Sequence, residues 1–481
     1  MEQKTDIYYS ALTSCDPRFD GVFFVGVTST GIYCRPICPA KKPKPKNCEF
    51  FTSAAAAEKA LFRPCLRCRP ELAPGYAPVD DGQRIARQIA GYIEEGLYHE
   101  GTGLEDVAAE FELSSRQVRR IVQNEYGVSP MELILTRRLL LAKQLLTETT
   151  LPVTEIAYAS GFSSLRRFND AFLKRYSMPP SRLRKEARKE SSSTAVPESL
   201  TLQLSYRAPF DWEGLLRFLQ VRASKGVEHV DGDLYQRTIH MDTYKGWISV
   251  RNNPKKNVLN VELSHSLTPI LSKVLKRVKE LFDLNARPDI IMGRLSTDPF
   301  LAETIKRIPG VRIPGAMDGF EVAVRAILGQ QITVKAATTL AGRFAEAFGA
   351  EIETPYPSLT HIFPSPERIA KLSVDDVASL GIIQRRAECI LEIARQIQSG
   401  RLKLTASTSH DIIENMTAIP GIGPWTANYV AMRVIHWPDA FPKEDIVLRK
   451  KLGGISAKEA EDVSQKWRPW RSYAAMYLWR R

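Results

Sequence analysis

Four cysteines in two close pairs are the first residues in this sequence whose types and spacing could do chemistry. Three residues separate Cys34 from Cys38, and two separate Cys65 from Cys68. Two such pairs offer a tetrahedral thiolate set for a single zinc ion. Metal held in this way stabilises a short, turn-rich segment that has little core of its own. Zinc also keeps a thiol deprotonated, and the thiolate is the nucleophilic form. Spacing alone leaves two uses open, a structural zinc ribbon and an activated nucleophile, and the ribbon is the commoner. Cys15, Cys48 and Cys389 lie outside the pattern and are assigned structural roles.

A second constellation lies near the other end. Ile419-Pro420-Gly421-Ile422-Gly423-Pro424-Trp425-Thr426-Ala427 reads as a helix-hairpin-helix signature. Gly421 and Gly423 let the backbone turn sharply and come close to a DNA phosphate, and amides at the next helix start can face that phosphate. Asp445 follows 22 residues after Gly423. This placement resembles that of the helix-hairpin-helix glycosylases, and the resemblance implies a role for the carboxylate: cutting an N-glycosidic bond builds positive charge on the sugar, which a facing carboxylate stabilises while it orients water. An alkylated base is already cationic and leaves with little acid help. Taken singly, the hairpin could be a DNA grip and Asp445 a surface charge. Neighbouring Glu444 is the weaker candidate.

A third set is helical. Leu104–Ala108 with Ser114–Arg120, and Val153–Ala157 with Gly161-Phe162, Phe168 and Phe172, form two helix-turn-helix patterns in tandem. Gly161 permits the tight turn between helices. Ser163–Arg175 then reads as a recognition helix, with Arg166, Arg167, Lys174 and Arg175 toward DNA. The alternative is a packed helical domain with a solvated basic face.

The elements around these residues divide the chain. Residues 1–78 are rich in Pro, Gly, Cys and Lys, with short β-like runs and a break at Ala73–Pro78. Residues 79–188 carry helical apolar spacing in Ile85–Ile93, Leu104–Phe111, Val118–Val122 and Leu133–Leu146. Residues 189–199 are a polar linker. Residues 200–285 hold strand-like runs at Leu200–Tyr206, Leu234–Met241, Gly246–Arg251 and Val258–Leu263, then a helix at Leu271–Leu281. Residues 286–481 are helical from Phe320 onward. The fold class is multidomain and mostly α with α+β parts: a small zinc domain, a helical domain, a small antiparallel sheet domain and a helical bundle.

The chain has 481 residues and net charge +13, spread over both halves. A positive balance suits a polyanion partner, although charge alone does not require one. No stretch approaches the ~18–20 apolar residues of a membrane span, and MEQKTDIYYS has no signal-peptide core. Seven cysteines without an export signal favour metal and nucleophile roles over disulfides.

Three resemblances sharpen this. Thr30-Gly31-Ile32-Tyr33-Cys34-Arg35-Pro36 and Phe62-Arg63-Pro64-Cys65-x-Arg67-Cys68 resemble the N-terminal domain of the Ada methylphosphotriester repair proteins. The resemblance implies that Cys34 is both ligand and nucleophile, with Arg35, Arg63 and Arg67 at the DNA. The thiolate would take a methyl group from a methylated backbone phosphate, once per protein. Methylation would also change the centre from −2 to −1 and strengthen DNA binding. The tandem helix-turn-helix, continued by Pro179 and Arg182, resembles AraC-type regulators.

Residues 200–481 resemble the AlkA 3-methyladenine glycosylase II proteins. The matching stretches include Pro209-Phe210-Asp211-Trp212, Val324–Gln330, Gly423-x-Trp425-Thr426-Ala427-Asn428-Tyr429 and Trp467–Ala474. This implies that Asp445 is catalytic and that Trp425, Tyr429, Trp479 and Phe218 line a pocket for a flipped, cationic base. Trp470 is assigned to the core. Gln331 stands where such proteins place a leucine wedge, and Ile446 and Arg480 stand where further aromatics occur. Bifunctional members carry a lysine where Trp425 stands, and the iron-sulfur branch needs four cysteines that this half lacks. A monofunctional glycosylase with one zinc and no cluster is therefore expected.

Together these imply a cytoplasmic, nucleoid-associated bacterial repair protein. It is expected to act as a monomer on double-stranded DNA carrying alkylation damage, with promoter DNA and RNA polymerase as further partners and no membrane. The competing reading is a transcription regulator whose glycosylase half only grips DNA. An O-6-methylguanine methyltransferase is disfavoured, because no Pro-Cys-His-Arg motif occurs.

Overall fold

The computed structural model describes residues 2–74, 84–94, 104–111, 113–188, 199–404 and 409–481. The expected linker (but for residue 199) and most of the Ala73–Pro78 break lie outside them. The chain divides into two compact units, Met1–Arg207 with Asn253–Lys276, and Ala208–Asn252 with Arg277–Arg481.

The first unit begins with a helix, Glu2–Thr13, and a four-stranded sheet in the order β3-β1-β2-β4. Its strands are β1 (Phe24–Val27), β2 (Ile32–Cys34), β3 (Cys48–Phe51) and β4 (Arg63–Pro64). Gly31, at φ +65°, closes the β1–β2 turn in a conformation that suits glycine. Pairing of β2 with β4 is parallel, with Ile32 opposite Arg63. That register sets the end of β2, at Cys34, beside the end of β4, which Cys65 follows, so both cysteine pairs begin at one place.

Sequence patterning missed Glu2–Thr13. Its Thr, Tyr and Ser residues are indifferent helix formers, so packing decides: Leu12 and Tyr9 lie against the cysteine cluster.

Helices Arg84–Glu94, Leu104–Glu110, Ser115–Tyr126, Pro130–Glu148, Val153–Ala159, Leu165–Tyr176 and Pro180–Arg188 follow in the same unit. Capping boxes at Ser114/Gln117 and Ser129/Glu132 start two of them. Phe168, Phe172 and Tyr176 recur at i, i+4 and i+8, so Leu165–Tyr176 buries one stripe and exposes the other. Strands β5 (Ser199–Ser205) and, later in the chain, β9 (Val258–Ser264) pair antiparallel in this unit.

A buried carboxylate joins the sheet region to these helices. Glu58 accepts hydrogen bonds from the Tyr33 hydroxyl at 2.9 Å, Thr136 Oγ1 at 3.1 Å and Arg175 Nη1 at 2.9 Å.

The second unit opens with helix Trp212–Gln220, capped by Asp211. An antiparallel meander follows: β6 (Glu228–Asp231), β7 (Leu234–Met241) and β8 (Tyr244–Asn253). Beyond these lie the helices that carry the hairpin, among them Gly319–Leu328, Gln384–Gln398, Ser409–Thr417, Pro424–Arg433 and Ile446–Lys451. Strand β6 was missed, since three of its four residues, Glu228, His229 and Asp231, are polar and give no alternation. Glu228 is nevertheless buried in a charge quartet. Arg237 binds Glu228 at 3.2 Å and Glu321 at 2.7 Å, and Arg325 binds the same two at 2.7 and 2.8 Å.

Burial raises the Glu58 carboxyl to about 7, against the opposing pull of Arg175. A folded value above the usual 4.5 means that the folded state binds this proton more tightly than the unfolded chain. The stabilisation is present below pH 4.5 and is lost as pH rises to about 7. Unfolding midpoints in denaturant should therefore fall across that window, and Glu58→Gln should flatten the fall. An unchanged slope in the variant would assign the pH dependence to other groups.

Candidate functional site

The four cysteines converge as the β2–β4 pairing requires. Cys34 ends β2, and the Cys65 N–H donates to the Tyr33 carbonyl at 3.0 Å, one residue before Cys34. A turn from Arg35 to Cys38, closed at 3.1 Å, returns Cys38 to the same point. The four sulfurs lie within 4.8 Å of one another, and all four residues are buried. Zinc–sulfur bonds of about 2.3 Å in a tetrahedron require sulfurs roughly 3.8 Å apart, so the set fits one zinc ion.

The four sulfurs are not equivalent. Cys68 Sγ accepts the Arg35 N–H at 3.3 Å, which withdraws charge from it. Cys34, Cys38 and Cys65 line a cavity of about 440 Å³, and Cys34 is the most exposed of the four at 9%. Lys41, Lys42, Arg63 and Arg67 also line that cavity, a basic rim suited to a phosphate ester.

Arg35 does not belong to the rim. Its guanidinium is buried, ion-paired with Asp20, and bonded to the Cys68 carbonyl at 3.1 Å. A buried guanidinium needs such acceptors, and here they hold the turn that presents Cys34. Arg175 is likewise withdrawn from the expected DNA face by its bond to Glu58. Arg166, Arg167 and Lys174 stay exposed on helix Leu165–Tyr176.

The hairpin half forms a different centre. Gly421 adopts φ +94°, and a Cβ there would meet Cys389 at 3.3–3.4 Å, so the buried Cys389 packs under the turn. Gly423 caps helix Pro424–Arg433 and faces open space. Asp445 caps the next short helix, accepting the Leu448 N–H on Oδ1 at 2.8 Å. Trp425 Nε1 donates to Asp445 Oδ2 at 2.9 Å, and Trp479 Nε1 donates to Oδ1 at 3.2 Å. Both carboxylate oxygens are thus fixed by N–H donors, and two come from residues expected in the base pocket. Trp425 stacks on Tyr429, with centroids 5.2 Å apart and planes 12° apart.

Phe218 is near this group, but the Arg222 guanidinium covers its ring at 3.8 Å and Arg433 lies 5.3 Å from it. A face occupied by a cation is not free to stack a base, so Phe218 supports the arginines instead. Gln331 is exposed at φ +54°, in the left-handed region, on the loop before helix Val334–Phe348. Its neighbour Gln330 donates to the Gly421 carbonyl and to Thr426 Oγ1, both at 3.1 Å. Sequence reasoning missed Gln330, Arg222 and Arg433 as parts of the site. Gln330 stood inside a recognised stretch but carried no chemical signal, and the arginines became visible only through their partners.

Comparison with known proteins reaches both units of the chain. Family models match the metal binding domain of Ada at 7–71, a helix-turn-helix domain at 107–186, the AlkA N-terminal domain at 201–318, and the HhH-GPD base excision DNA repair superfamily at 324–472. A "Probable bifunctional transcriptional activator/DNA repair enzyme AlkA" of Mycobacterium tuberculosis is 37% identical over 477 residues, 98% of this chain and 95% of that protein. This chain belongs to that bifunctional AlkA family. "DNA-3-methyladenine glycosylase 2" of Escherichia coli is 32% identical over 277 residues, covering 57% of this chain and 95% of its own length. The solved 3-methyladenine DNA-glycosylase from Archaeoglobus fulgidus shares the fold, with TM-score 0.52 and 23% identity over 58% of this chain and 96% of its own. Among the described residues no helix is long and apolar enough to cross a membrane.

In a member of this family the zinc ligands should be Cys34, Cys38, Cys65 and Cys68. Elemental analysis of the purified chain should find a single zinc ion, and Cys68→Ser should lose it and make the 7–71 segment sensitive to protease. Full zinc retention by that variant, or resistance of the metal-free segment, would remove the metal from the account of this fold.

Proposed function

We propose that this protein repairs alkylated DNA in two ways. It hydrolyses the N-glycosidic bond of alkylated bases such as 3-methyladenine, and it accepts methyl groups from DNA methylphosphotriesters onto Cys34. The observation that carries the first activity is the Asp445 carboxylate, oriented through both oxygens by Trp425 and Trp479. With the base flipped onto the aromatic surface, the carboxylate would face the anomeric carbon. It stabilises the positive charge that forms there and orients the water that captures it. Trp425 occupies the position where bifunctional glycosylases carry lysine, which supports a monofunctional hydrolase.

The basic cavity beside Cys34 supports the second activity. Bound zinc would keep the sulfur a thiolate. The Cys34 sulfur forms a bond to the methyl carbon, the carbon–oxygen bond breaks, and its electron pair leaves with the phosphodiester. The thioether does not return the methyl, so each chain reacts once. The loss of one negative charge then favours DNA binding by the helix-turn-helix region, whose exposed Arg166, Arg167 and Lys174 support a promoter-reading role. RNA polymerase is the partner this reading adds, and the protein works as a monomer. The functional divisions are those read from the sequence: 1–78, 79–188, 189–199, 200–285 and 286–481.

Asp445→Asn keeps a helix-capping side chain but removes the charge. It should lower base release from methylated DNA by about 10²–10³-fold, leave DNA affinity intact, and leave Cys34 still able to gain one methyl by mass. Undiminished base release would end the glycosylase mechanism. Absence of methyl on Cys34 in the zinc-loaded wild type would reduce the cysteine centre to a structural role. Failure of both would leave the transcription regulator whose second half only grips DNA.

A further inference from the structure

Leu61 stands where the backbone favours glycine. Helix Ala54–Lys59 closes with two hydrogen bonds from the residues beyond its cap, Ala60. The Phe62 N–H donates to the Ala57 carbonyl at 3.1 Å, and the Leu61 N–H donates to the Glu58 carbonyl at 3.0 Å. This paired closure needs the residue after the cap in the left-handed region, where glycine is the usual choice. Leu61 takes that place at φ +68°. A Cβ crowds the backbone there, and glycine avoids the strain. Among the described residues, the other non-glycine positions at positive φ hold polar side chains or cysteine, and Leu61 is the one aliphatic side chain.

Packing does not explain the choice. Phe62 is buried in a cluster with Ala57 and Tyr33. Leu61 is 88% exposed, more than any other large apolar side chain among the described residues. An aliphatic side chain held in a strained conformation and turned to water points to a contact outside the chain.

Its place narrows what that contact is. Two residues later, Arg63 lies opposite Ile32 of β2, and the Arg63 N–H donates to the Gly31 carbonyl at 2.8 Å. Thr30, Ile32 and Arg63 line the cavity that holds Cys34. Leu61 thus adjoins the rim of that cavity, whose charged members Lys41, Lys42, Arg63 and Arg67 suit a polyanion. Protein interfaces deplete charge at their centre, so one leucine beside four cations fits DNA better. Apolar side chains meet DNA between the phosphates, inside a groove.

We propose that Leu61 enters a groove of duplex DNA beside the methylated phosphate and packs against its sugars, as a positioning residue for methyl transfer to Cys34. The inference rests on the methyl-acceptor reading above and deepens it. A methylphosphotriester has lost its charge, so the basic rim attracts the intact phosphates on either side more strongly than the damaged one. Charge contacts therefore bring the protein to DNA without seating the triester at the sulfur. An apolar contact next to the rim is indifferent to that lost charge and holds the duplex in register.

The test uses the full, zinc-loaded chain and a duplex bearing methylphosphotriesters, at subsaturating DNA, with methyl gain on Cys34 followed by mass. Leu61→Gly supplies the residue that the helix closure favours and removes the side chain. Its Tm and zinc content should equal or exceed those of the wild type, while its methyl-transfer rate falls about tenfold. Leu61→Met keeps an apolar side chain and should stay within about threefold of the wild-type rate. Transfer by Leu61→Gly at the wild-type rate would overturn the proposal and leave Leu61 to a protein partner. A lower Tm or lost zinc in that variant would assign Leu61 to the fold and overturn it too, as would an equal loss of rate in Leu61→Met. A wild type that gains no methyl on Cys34 would overturn the methyl-acceptor reading itself.

Discussion

A carboxylate with both oxygens held by N–H donors is the interaction on which the second unit depends. An ionised side chain beside an apolar aromatic surface is costly unless hydrogen bonds replace its water. Asp445 meets that cost with a backbone N–H from Leu448 and two indole N–H groups. The donors arrive from separate parts of the chain. Trp425 stands on the helix that Gly423 starts, Trp479 on the helix Arg471–Arg480, and Leu448 on the helix that Asp445 itself caps. The hairpin turn, the tie from Gln330 to Gly421 and Thr426, and the packing of Cys389 under Gly421 are the means by which these donors reach one point.

The first unit solves a related problem with a cation in prospect. Four thiolates at hydrogen-bonding range repel one another, and a dication removes the conflict. Their meeting point is set by a two-residue parallel pairing between β2 and β4, and the buried Arg35–Asp20 pair keeps the intervening turn in place. Breaking such pairs costs far more than they contribute over apolar substitutes, so their use is chiefly geometric. The Glu228–Arg237–Glu321–Arg325 quartet has that character too. It fixes helix Gly319–Leu328 on the meander and anchors the backbone of Arg222 through Arg325.

Much of this was legible in the sequence. Cysteine spacing announced the metal set, because ligand number and distance are written directly in residue type. The hairpin glycines and Asp445 were legible for a similar reason: a turn that needs glycine, and a carboxylate at a defined distance from it, have few substitutes. Strands with clean alternation, such as Leu234–Met241, were found, whereas polar Glu228–Asp231 was not, since a buried ion pair hides in an alternation count. What the sequence could not express was partner choice. Arg35 and Arg175 read as DNA contacts because they are basic and lie among other basic residues. Asp20 and Glu58, which claim them, are distant in the chain. Phe218 read as a base platform until Arg222, four residues later on the chain, covered its face.

The central claim is that the indole N–H groups hold Asp445 facing the sugar, where it stabilises charge and orients water, rather than merely lining a pocket. Its most direct test is single-turnover release of 3-methyladenine by a variant carrying Trp425→Phe and Trp479→Phe together, which keeps aromatic faces and the carboxylate but removes both donors. The account predicts that release falls by about 10²-fold with DNA affinity unchanged. Release at the wild-type rate would contradict it.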